Sequence, residues 1–174
     1  MTPAPAHLLT VDPGIGDLAG ADHLLRDLAA RLALPEDAVG CTHLVRDDGR
    51  PRVALSLALA SEAARDRARD RLAAHGHQAT DGAPDDRGRA VLYPGAEALT
   101  GTLTIADLLS GSAIDAVTVL GTPDAPAPDT PLDTRGHVRP QWQDGRLVLL
   151  AQPAAGGVLV PFEHPDPTPC CADH

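Results

Sequence analysis

Large and small apolar residues alternate over residues 52–60, and this period of two predicts a β-strand. One face of the strand carries Val53, Leu55, Leu57 and Leu59, and the other carries Ala54, Ser56, Ala58 and Ala60. We expect helices to pack on the face of large residues. The face of small residues bears no charge, so we expect either a neighbouring segment or a second subunit to cover it.

A second apolar run at 39–46 is separated from this strand by the polar residues Asp47, Asp48, Gly49 and Arg50. An Asp-Gly turn between two apolar runs predicts a β-hairpin. Leucines at 25, 28 and 32 follow the helical spacing and predict a helix over 22–34, which Pro35 ends. Ser61 is a suitable N-cap for a second helix that runs to about residue 75.

Short apolar runs at 7–11 and 78–80 complete the order βαββαβ, which predicts a ferredoxin-like unit over residues 1–81. Residues 82–88 have the composition of a linker. Residues 89–163 predict a small β-rich unit with one short helix at 105–109, and residues 164–174 form a tail rich in proline, cysteine and histidine. The predicted fold class is therefore α+β.

The formal charge of −10 results from 24 acidic and 14 basic residues, so nucleic acid is not an expected partner. All the basic residues are arginines, which excludes a Schiff-base lysine and a P-loop lysine. We therefore expect neither a nucleotide nor PLP as cofactor. No apolar run approaches the roughly 20 residues that span a membrane, so we expect no membrane partner and a cytoplasmic location.

Reactive side chains are concentrated in the tail, where Cys170 and Cys171 precede His174. Two thiolates and an imidazole suit a soft or borderline ion such as Cu(I) or Zn(II). Adjacent cysteines point apart in an extended chain, so further ligands are needed. Cys41 and His43 are two residues apart on a predicted strand and project from one face. The predicted metal site therefore comprises Cys41, His43, Cys170, Cys171 and His174, in a metal carrier, a metal sensor or a metal-supported subunit.

Two other functions stay open, and with them the question of whether the protein is an enzyme. The first is a non-catalytic interaction subunit or homodimer that uses the face of small residues. The second is a thiol redox enzyme that uses the pair Cys170 and Cys171. The four serines occupy no recognisable nucleophile motif, so the sequence does not predict classical hydrolysis.

Two further patterns each have two interpretations. Arg135 and Arg139 suit a carboxylate ligand with His137 as acid or base, but they equally suit a solvated hairpin rim. His75 and His77 resemble a metal-binding pair, although a helix C-terminus favours histidine without any metal.

Overall fold

The computed structural model describes residues 7–47 and 49–165 of the chain. Its strands are β1 His7–Ile15, β2 Val39–Asp47, β3 Arg50–Leu59, β4 Ala79–Asp81, β5 Arg87–Leu92, β6 Thr102–Thr104, β7 Ala116–Val119, β8 Pro131–Asp133, β9 Gln141–Gln143, β10 Arg146–Pro153 and β11 Leu159–Pro161. Its helices are α1 Leu18–Leu32, α2 Glu62–Ala74 and α3 Ile105–Gly111, with 3₁₀ turns at Ala96–Ala98 and Ala155–Gly157. The predicted α+β class is confirmed.

The described strands form one sheet in the order β4-β1-β3-β2-β5-β9-β10-β11-β8-β6, and β7 pairs with β10. Strands β4, β1, β3 and β2 pair with one another in an antiparallel manner. The sheet continues beyond β2 into the second half of the chain. It therefore runs through both units that the sequence predicts.

The second half of the chain joins the sheet within the segment that the sequence predicts as a linker. β5 begins at Arg87, and Gly88 pairs with Trp142 of β9. On the other side of β5, Ala90 pairs with Cys41 of β2. Strand formation here depends on two distant partner strands, which the local composition of residues 82–88 does not reveal.

Helix ends follow local capping. α1 begins at Leu18, about one turn before the predicted start, because the Asp17 carboxylate accepts a hydrogen bond from Gly20 N at 2.7 Å. It ends before Ala33, which adopts a left-handed conformation with φ 45°. Ser61 caps α2 as predicted.

Two apolar clusters lie on the two faces of the N-terminal part of the sheet. The large side chains of β3 pack with α1 and α2 in one cluster, as predicted. On the opposite face, Ala54, Ser56 and Ala58 are buried. Ala58 and Cys41 share their cluster with Tyr93, Leu108 and other residues of the second half of the chain. The chain therefore covers its own small-residue face, and that face is not available to a partner in this fold.

Candidate functional site

A cleft of about 340 Å³ opens where the pairing of β2 with β5 ends. The paired residues of β2 run from Gly40 to Thr42, whereas the strand itself continues to Asp47. The cleft is lined by the charged or polar residues His43, Asp85, Arg87, Arg89, Gln141 and Glu163, together with Leu18, Thr42, Leu44 and Gly88. The cleft thus combines acidic, basic and imidazole groups.

His43 is a wall residue whose two ring nitrogens both have partners. Its Nε2 lies 2.7 Å from Ser56 Oγ, and its Nδ1 lies 3.0 Å from Asp85 Oδ1. An ionised carboxylate only accepts hydrogen bonds, so the Nδ1 of a neutral His43 carries the proton and Nε2 accepts from the Ser56 hydroxyl. Hydroxyl, imidazole and carboxylate therefore follow one another in the order of a serine-hydrolase triad.

In this group the carboxylate is exposed and the hydroxyl is buried, which differs from an open active site. His43 is 3% exposed and Ser56 is 5% exposed, whereas the Asp85 side chain is 50% exposed. Asp85 and His43 line the cleft, and Ser56 lies behind His43. A ligand in the cleft therefore meets the carboxylate and the imidazole before the hydroxyl.

Cys41 extends this buried polar group. It pairs with Ser56 across β2 and β3, so both side chains lie on one face of the sheet. Burial raises the pKa of the Cys41 thiol to about 12, against the opposing effect of a hydrogen bond with Ser56. At neutral pH the group is a thiol, which is a poor nucleophile and a poor metal ligand.

Gly88 provides the space in which Cys41 and His43 meet. A Cβ atom on Gly88 would lie 2.6 Å from Cys41 Cβ, 2.9 Å from Cys41 Sγ and 3.0 Å from His43 Cε1. Only a residue without a side chain allows β5 to approach β2 so closely.

Only part of the metal site predicted from the sequence falls within the described structure. Cys41 and His43 lie close together on one face, as the period of two predicts. Cys170, Cys171 and His174 lie outside the described residues, so both their metal-binding role and their redox role stay predictions. Within residues 7–47 and 49–165, no group of three histidine, cysteine or acidic side chains is placed to hold one ion.

A network of charged side chains adjoins the cleft and links distant parts of the chain. Arg89 contacts both oxygens of Glu163 through Nε, each at 2.8 Å, and contacts Asp22 through Nη1 at 2.5 Å. Arg139 Nε donates to the same Asp22 carboxylate at 3.1 Å, and His137 Nε2 lies 2.9 Å from Glu163. Helix α1, strand β5 and the segment after β11 are thereby joined.

The opposite charges in this network stabilise one another. Burial alone would raise the pKa of the Asp22 carboxyl, but Arg89 and Arg139 outweigh burial and hold this pKa below its ordinary value. In the same way, Arg89 and His137 lower the pKa of Glu163 despite its burial. Burial opposes the charge of Arg89, yet the two carboxylates raise its pKa.

The sequence predicts a possible carboxylate site at Arg135, His137 and Arg139. Two of these residues do bind carboxylates, but the carboxylates are side chains of the protein itself. His137 binds Glu163 and Arg139 binds Asp22. Arg135 instead lies 2.5 Å from His164 Nε2 and 3.9 Å from Asp133. His75, which the sequence pairs with His77 as a possible metal-binding pair, forms the C-cap of α2.

Several residues of the site were not anticipated from the sequence, among them Arg89, Ser56, Asp85 and Asp22. Ser56 had a weak signal, because it is the polar residue on an otherwise alanine face of β3. Asp85 and Asp22 had no signal in the sequence, since their partners His43 and Arg89 lie 42 and 67 residues away.

Comparison of the chain with protein-family models, with curated proteins and with solved structures gave no match. Among the described helices, none combines the length and the apolar character needed to cross a membrane. The site must therefore be interpreted from its own geometry.

Proposed function

We propose that the protein binds Cu(I) or Zn(II) through Cys170, Cys171 and His174, as a metal carrier, a metal sensor or a metal-supported subunit. The observation that carries this proposal is the position of Glu163. It lines the same cleft as His43 and Asp85, and it immediately precedes the tail that contains the two cysteines. We propose that thiolates of the tail bind an ion near the carboxylates of this cleft.

The pairing of His43 Nδ1 with Asp85 is the arrangement common to metal-binding histidines, which donate their second ring nitrogen to a carboxylate, but a metal would have to replace Ser56 at Nε2. Cys41 contributes less, because it is a buried thiol with a pKa of about 12. The tail residues are consequently the principal ligands, Asp85 and Glu163 offer carboxylate oxygens at the cleft, and His43 would become a ligand only if Ser56 left its Nε2. Cys41 would become a ligand only if the packing over Gly88 opened.

Equilibrium dialysis of Cu(I) and of Zn(II) into the reduced protein tests the tail as the metal site. We expect the Cys170→Ala, Cys171→Ala double variant to lose metal binding, and the Cys41→Ala variant to retain it. Thiolates and imidazole must be deprotonated to bind, so the affinity should fall as the pH is lowered. Equal uptake by the wild type and the double variant would contradict the proposal.

A second candidate function follows from the order Ser56, His43, Asp85. In this mechanism the Ser56 oxygen attacks an acyl carbonyl carbon while His43 Nε2 takes the hydroxyl proton. His43 then returns that proton to the leaving group, and water hydrolyses the acyl-serine in a second step. Access to Ser56 requires His43 to move, because the hydroxyl lies behind the ring.

Labelling with a fluorophosphonate, which reacts with activated serines, tests this second candidate. The expected result is labelling of the wild type and of Ser110→Ala, and no labelling of Ser56→Ala. Ser110 is the matched control because it is an exposed serine outside the cleft. If the wild-type protein is not labelled, this candidate function is wrong and His43 is a buried structural histidine.

The ferredoxin-like arrangement of residues 1–81 is also part of the proposal. It is supported by the order β4-β1-β3-β2 and by the packing of α1 and α2 with the large side chains of β3.

A further inference from the structure

A second cleft adjoins the charged network at Arg139. It has a volume of about 280 Å³ and is formed between helix α1, strand β5 and the segments around residues 96–100 and 136–139. Arg26 and Arg139 both line it, in a protein whose net charge is −10. None of the residues with a role in the proposed metal site lines this cleft.

Arg139 is held in place by the protein and still has a free donor group. Its side chain is 9% exposed, Nε donates to Asp22 at 3.1 Å, and Nη1 donates to the carbonyl of Val138 at 3.1 Å. In the part of the chain that the structure describes, Nη2 has no hydrogen-bond partner and is not sealed from solvent. An arginine fixed through Nε and Nη1 presents Nη2 in a defined direction.

Arg26 adds a second positive charge that no carboxylate among the described residues pairs with. It is close enough for its charge to act on Arg139. Burial lowers the pKa of Arg139, and the neighbouring positive charges of Arg26 and Arg89 lower it further, against the effect of Asp22. Two like charges on one wall repel each other, and an anion bound between them would relieve that repulsion.

The rest of the lining indicates the kind of anion. Val91, Leu99 and Val138 line the cleft but are almost fully buried, while the exposed Thr100 side chain adds a hydroxyl group. Glu97 also lines the cleft, and its carboxylate disfavours a ligand with more than one negative charge. The cavity is smaller than the roughly 300–1,000 Å³ of sites for drug-sized ligands.

We propose that this cleft binds a small organic monoanion, whose carboxylate or phosphodiester group lies between Arg26 and Arg139. This site is independent of metal binding and of the metal site proposed above. Charge-assisted hydrogen bonds to arginine supply the specificity for the anion.

Tyr93 offers a direct probe, because it lines the cleft and is the single tyrosine of the chain. Its ring resonances can be followed by NMR in chelator-treated protein while butanoate, dimethyl phosphate or inorganic phosphate is added. The single tryptophan, Trp142, does not line the cleft and serves as an internal control. We expect saturable shifts of the Tyr93 resonances with butanoate or dimethyl phosphate and weaker binding of inorganic phosphate, which is partly a dianion, while the Trp142 resonances stay unchanged.

Three variants make the test specific. Arg26→Gln should weaken binding about tenfold, because it removes one charged donor from an exposed position. Arg31→Gln removes the same charge from the same helix outside the cleft and should leave the affinity unchanged. Glu97→Gln should tighten binding, because it removes the carboxylate beside the anion. Absence of saturable shifts with all three anions, or equal affinities for the wild type and Arg26→Gln, would overturn the proposal.

Discussion

Replacing Asp22 with asparagine should lower the free energy of unfolding by about 3–5 kcal/mol at neutral pH. The side chain is 8% exposed and accepts hydrogen bonds from both Arg89 and Arg139. Asparagine keeps the size of the side chain but removes its charge. Arg139 would then be buried without a carboxylate partner, and Arg89 would keep only Glu163.

Urea denaturation of the wild type and of Asp22→Asn measures this loss. Asp27→Asn is a matched control on the same helix, because Asp27 pairs with Arg31 at 3.0 Å on the surface. A surface pair contributes about 1 kcal/mol or less, so the control should be close to the wild type. Similar losses in the two variants would show that the buried network does not stabilise the fold in the way described.

The same experiment has a defined dependence on pH. The folded state lowers the pKa of Asp22 and of Glu163, so their contribution is complete above the pKa values of the unfolded chain, about 4. This contribution is lost as the pH falls through the lower pKa values of the folded protein. The wild type should therefore lose stability steeply below about pH 4, and Asp22→Asn should show a shallower decline.

A Gly88→Ala substitution should destabilise the protein by about 1–3 kcal/mol, which is typical of an overpacked core. The new methyl group would lie 2.6 Å from Cys41 Cβ, which belongs to the rigid base of a buried strand residue. Either β5 must move away from β2 or the strands must bend. His43 Cε1 lies 3.0 Å from the same position, so the contacts of His43 with Ser56 and Asp85 should change as well.

Gly16→Ala is the control for this substitution, because no atom lies within 4 Å of the corresponding position. Urea denaturation should separate the two variants, and the His43 ring resonances should shift only in Gly88→Ala. Equal stabilities would mean that the close approach of β5 to β2 imposes no steric constraint.

Local features of this fold could be predicted from the sequence because they depend on neighbouring residues. The hairpin of β2 with β3 and the N-cap Ser61 are examples, and each follows from a short run of residues. The prediction of which face of β3 packs with the helices was also correct, since alternation determines which residues share a face.

Contacts between distant segments could not be predicted in this way. The approach of Asp85 to His43 depends on where β5 pairs, and the contact of Arg89 with Glu163 spans 74 residues. The composition around Gly88 suggests a linker, whereas the fold uses that glycine for a close contact between strands. The choice between a covering segment and a second subunit for the small face of β3 likewise required the tertiary structure, which shows a covering segment of the same chain.

The contact of Glu163 with Arg89 also limits how far the tail cysteines can be from the cleft. Cys170 follows Glu163 by seven residues, which reach at most about 25 Å at roughly 3.6 Å per residue. A group confined to such a radius has an effective concentration on the order of millimolar at the cleft. An ion that binds His43 or Asp85 only weakly would therefore meet the two thiols as an intramolecular partner, without the cost of a second encounter in solution.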